Sequence, residues 1–70
     1  MTPRTGQPQI VVLGIEAWPL GKLIQRIHEA AHWNQVRGYK TLRDCPAAWR
    51  AYCDVLQREW VRRGSPERLF

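Results

Sequence analysis

The sequence predicts a mainly α protein: an N-terminal strand or extended arm followed by two amphipathic helices, β-α-α in order, paired as a dimer. Three observations carry this. Apolar residues recur at spacings of three and four over Pro19–Val36 and again over Cys45–Arg63. A β-branched apolar run, Gln9–Ile15, precedes them and has no second strand to pair with in the chain. Seventy residues make one small domain with a thin core, which a partner subunit or a metal would reinforce.

Residues 1–8, MTPRTGQP, lack periodicity and read as a flexible arm. Residues 9–64 form the domain, and residues 65–70 a short tail. Gln9–Ile15, QIVVLGI, is apolar on both faces. Its backbone groups need partners. It therefore either lies as an extended arm over the helices or pairs across a two-fold axis with a second chain.

The first helix is set by Leu20, Leu23, Ile24, Ile27 and Ala31, which share one side of the wheel. Pro19 fits its first position and Gly38 its stop. Trp18, extended because it precedes proline, packs back as a staple. With Leu20 at zero, the stripe centres near roughly 350° and Trp33 lies near roughly 220°, away from it. Gly38–Asp44, GYKTLRD, is the interhelical loop, with Tyr39 among Arg37, Lys40 and Arg43. The second helix follows, capped by Asp44, with Pro46 in its first turn. Trp49, Tyr52, Cys53, Leu56 and Trp60 form its apolar stripe. Arg50, Arg58 and Arg62 lie on the other side, where Asp54 can pair with Arg50 or Arg58. Gly64 and Pro66 end it.

The string His28-Glu29-Ala30-Ala31-His32 resembles the HExxH signature of the zinc peptidases. That resemblance implies zinc on His28 and His32, with Glu29 as general base. The third ligand would come from Glu59, Asp54, Cys53 or Cys45, none of which stands in a follow-on motif. No sheet edge is available to hold a substrate beside the helix. The expectation is therefore a non-enzymatic protein with no cofactor, in which the two histidines are surface residues.

Nine Arg and two Lys face six acids, a net charge of +5, and four Trp are present. Arg and Trp are the preferred anchors of protein interfaces, and a basic balance favours acidic partners. Two cysteines on one helix, eight residues and roughly 12 Å apart, could not pair. With no signal peptide or apolar run of bilayer length, the expected compartment is the cytoplasm.

The functional expectation is a small basic regulator or inhibitor, of the kind phages direct at host machinery, docking on a larger protein or nucleoprotein. Its contact residues would be Trp33, Arg37, Tyr39, Lys40, Arg43, Arg50, Arg58 and Arg62. The alternative is nucleic-acid binding. The order of elements is similar to the ribbon-helix-helix family of dimeric DNA-binding regulators, which implies paired strands in the major groove. Beyond Gln9, however, the run Gln9–Ile15 has no polar side chain to read bases.

Overall fold

The computed structural model of the chain describes residues 10–70. The arm expected over 1–8, and Gln9, lie outside them. The described residues are mainly helical and hold no strand. Ile10–Val12 run extended with no sheet partner, Leu13 and Gly14 turn, and Ile15–Ala17 form a 3₁₀ turn. Val12 and Ile15 of this segment pack on the helices, as an arm laid over them would. The strand pairing that motivated a dimer, and with it the ribbon-helix-helix layout, is absent among the described residues.

Helix α1 spans Leu20–Arg37 and helix α2 spans Ala47–Arg62. Both start one residue after a proline, Pro19 and Pro46, which has left the helical region (ψ 149° and 152°) and stands at the cap rather than inside the first turn. Asp44 therefore does not cap α2. It closes a second 3₁₀ turn, Leu42–Asp44, where Oδ2 accepts the backbone N–H of Lys40 (2.9 Å) and Thr41 (3.1 Å).

Both helices end in the same way. Gly38 adopts φ 75°, which lets its N–H reach Gln35 O (3.2 Å) while Tyr39 N–H reaches Asn34 O (2.8 Å). Gly64, at φ 96°, repeats the pattern with Val61, and Ser65 with Trp60. This is the Schellman closure, which requires a left-handed residue after the last turn.

Contacts run in opposite order along the two helices. Asn34 meets Trp49, Arg26 meets Tyr52, and Trp18 meets Arg63, so α1 and α2 are antiparallel. Leu23, Ile27 and Ala30 of α1 close on Trp49, Tyr52, Cys53 and Leu56 of α2, with Ile15 and Trp18 of the N-terminal segment sealing the far end. Trp49, Leu23, Leu56 and Cys53 are fully buried.

The buried side of α1 differs from the one its periodicity suggests. Leu20 and Ala31 are exposed and Ala30 is buried. The buried stripe centres near roughly 305°, turned about 45° toward Trp33. The cause is what covers it. Trp49 and the N-terminal segment press on the side carrying Arg26 and Trp33, whereas Leu20 stays about half exposed.

No helix among the described residues is long and apolar enough to cross a membrane.

Candidate binding surface

The loop end of the hairpin gathers most of the expected contact residues. α1 delivers Trp33 and Arg37 one turn apart. The Arg37 guanidinium lies 5.6 Å from the centre of the Trp33 ring, a cation–π distance. Trp33 in turn meets Trp49 edge-on, with ring centres 6.4 Å apart. It is half-buried and belongs to the wall of the core. Trp49 lies against one side of it and Arg37 against its ring, which leaves the indole half-exposed beside the loop.

Asn34 fixes this wall from within. Its Oδ1 accepts the indole N–H of Trp49 at 2.6 Å, so the largest fully buried side chain has its only polar atom satisfied. Burial pushes the neighbouring Cys53 thiol up to about 11, with Cys45 adding to the shift. Sequence reading missed Asn34. The signal was a lone amide on the apolar side of a helix, opposite a tryptophan.

Beyond this wall the chain forms an open groove of about 460 Å³. Ala31, Asn34, Gln35, Gly38, Tyr39, Lys40, Thr41 and Leu42 line one side, and Leu69 and Phe70 of the tail line the other. Tyr39 is half-buried, with its ring against the core. Lys40 is exposed at the rim. The tail is held by Gln57, whose Nε2 donates to Glu67 O (2.8 Å) and whose Oε1 accepts Leu69 N–H (2.6 Å). One side-chain amide thus grips an extended backbone as a neighbouring strand would.

Arg43 and Arg50 are exposed, and neither has a carboxylate within ion-pair distance among the described residues. The same holds for Arg37 and Lys40. The one acid between positions 37 and 50, Asp44, turns its Oδ2 to backbone N–H groups. The loop end is consequently a concentration of uncompensated positive charge.

The other two expected contact residues do different work. Arg58 pairs with Asp54 at 2.9 Å across one turn, both largely exposed. Arg62 is a structural residue. Its Nε and Nη2 clasp Glu59 at 2.8 and 2.6 Å, and Nη2 lies 3.5 Å from Glu16 O. Glu59 is almost fully buried and also accepts Arg63 Nε at 2.7 Å. Hydrogen bonds from Arg62 and then Arg63 hold its carboxyl down at about 2. At the same end of the molecule, Lys22 and Arg26 both lie over the Trp18 ring, 4.6 and 4.9 Å from its centre. Arg26 reaches Tyr52 Oη and Val11 O as well.

His28, Glu29 and His32 are all exposed. With the core centred near roughly 305°, the two imidazoles at roughly 80° and 120° lie on the opposite side of the helix. The third ligands considered from sequence are elsewhere. Cys45 and Cys53 are buried free thiols, Asp54 pairs with Arg58, and Glu59 is enclosed by arginines. Cys45 precedes α2 rather than lying on it, and its thiol donates to Thr41 O. Among the described residues no three metal-ligating side chains come together, so one chain does not build the peptidase site within them.

No protein family, curated protein or solved structure matches this chain.

Proposed function

We propose that this is a small non-enzymatic binding protein that docks on an acidic surface of a larger protein or nucleoprotein, and that the loop end of its hairpin is the docking surface. The observation that carries this reading is that Lys40, on the lining of an open groove, and Arg37, Arg43 and Arg50, on the helix ends and loop that flank it in sequence, have no carboxylate within ion-pair distance among the described residues. Elsewhere on α2 the chain matches its arginines with acids, as in Arg58–Asp54 and Arg62–Glu59–Arg63. Leaving four cations exposed together costs self-repulsion, which a polyanionic partner relieves. The apolar side chains of Leu42, Leu69 and Phe70 within the groove supply contact area beside the charge. Among the described residues the only titratable side chains lining the groove are Tyr39 and Lys40, which suits recognition better than acid–base chemistry.

The test is affinity capture with the tagged full chain from its own cells, with and without nuclease, beside the Arg43→Glu/Arg50→Glu variant. The expected result is one stoichiometric protein, retained after nuclease and lost with the variant. A capture that disappears on nuclease treatment and weakens steeply with salt assigns nucleic acid as the target instead. Capture unaffected by the charge reversal removes the loop end from the interface.

A further inference from the structure

The outward side of α1 has a composition unlike the rest of the chain. Gly21, Gln25, His28, His32 and Val36 all lie within roughly 50° of the direction opposite the core, with Glu29 just beyond their edge, and all are exposed. None of the residues inside that edge is Lys, Arg, Asp or Glu, in a protein with eleven basic residues and six acids. At its centre stand two imidazoles one turn apart. Neither has an ion pair or hydrogen bond among the described residues. Side chains at this spacing have Cβ atoms about 5–6 Å apart and can close on one ion.

Imidazole nitrogen suits zinc, copper and nickel, and such an ion takes about four ligands at about 2.0–2.1 Å. A single chain offers two. The remaining positions need donors from outside, because Cys45 and Cys53 are buried, Asp54 pairs with Arg58 and Glu59 is held by Arg62 and Arg63. We propose that His28 and His32 are half of a site for a divalent transition ion, completed by His28 and His32 of a second copy. Two-fold pairing makes the two halves identical. The uncharged strip is where two chains of net charge +5 can meet with least repulsion. Gly21, which has no side chain and open space beside it, removes one obstacle to close approach of the two helices.

The experiment is native mass spectrometry and sedimentation velocity on the full chain, first in EDTA and then with added Zn²⁺. The expected result is a monomer in EDTA and a dimer carrying one zinc per two chains after addition. Both the zinc and the dimer are lost in His28→Gln/His32→Gln. Both positions are exposed, so the variant's circular dichroism and melting should match the parent, which separates loss of the site from loss of the fold. A dimer that persists in EDTA, zinc held by a monomer, or zinc retained by the double variant each overturns the proposal. The last result would move the ion to the thiols.

Discussion

Arg63 joins Glu59 at 2.7 Å through Nε, while its Nη2 donates to the carbonyls of Ile15 (3.1 Å) and Trp18 (2.8 Å). One side chain thereby fastens the N-terminal segment to the last turn of α2, with a buried carboxylate holding the guanidinium in position. The Glu59 carboxyl falls from 4.5 to about 2, chiefly through hydrogen bonds from Arg62 and then Arg63. A folded-state value below the unfolded one means that the unfolded chain binds the proton more tightly. The stabilisation is complete above about pH 4.5 and is lost as pH falls toward 2. Denaturation midpoints measured across this range should drop for the parent. Glu59→Gln should lower the midpoint at neutral pH and flatten that drop.

The Trp49–Asn34 hydrogen bond is the polar centre of the core. Asn34→Ala leaves a buried indole N–H without its acceptor and should cost about 1–3 kcal/mol in chemical denaturation. Trp49→Phe removes the donor and some packing together. The double variant should lose less than the sum of the two, because the residues are in direct contact.

The arginines divide by role. Arg43→Glu and Arg50→Glu should change stability by no more than about 0.5 kcal/mol, as exposed positions without partners do. Arg62→Glu sets a second carboxylate against buried Glu59 and should lower the melting temperature visibly. Melting curves of the three variants, beside partner capture, test which cations bind and which hold the fold.

Both thiols are buried and shifted upward. Burial is the main cause at each, followed by Cys45 for Cys53 and by Asp44 for Cys45. The thiolate is the reactive form. In a colorimetric disulfide-exchange assay at neutral pH, the native protein should react slowly at both positions. Both thiols should then titrate promptly in denaturant.

Gln57→Ala should release the tail, since it removes both hydrogen bonds to Glu67 and Leu69. Hydrogen exchange at the Leu69 amide should accelerate, with little change at the buried centre of α2.

Much of the fold was legible. The apolar spacing located two helices within a residue or two of their ends, and Gly38 and Gly64 marked where they stop. Asp54 found one of its two anticipated partners, Arg58. The misreadings have local physical causes. β-branched residues at Ile10–Val12 suggested a strand, but strand formation needs a neighbour, and the packing of Val12 and Ile15 on the helices competes with it. Asp44 looked like a helix cap because it is an aspartate just ahead of the second helix, yet its carboxylate takes the N–H groups of Lys40 and Thr41 instead.

Of the candidate surface, the basic loop could be read from the chain. The pairing of Arg62 with Glu59, and the contact of Trp33 with Trp49, could not. The sequence by itself determined the two helices, their stops, the excess of positive charge and the spacing of the two histidines, because each depends on residues a turn or less apart. The tertiary structure alone decided that α1 buries Ala30 rather than Ala31, that Glu59 is enclosed, and that Asn34 answers Trp49. Those outcomes depend on which surfaces of distant segments meet, and a helical wheel carries no information about the neighbour that will cover it.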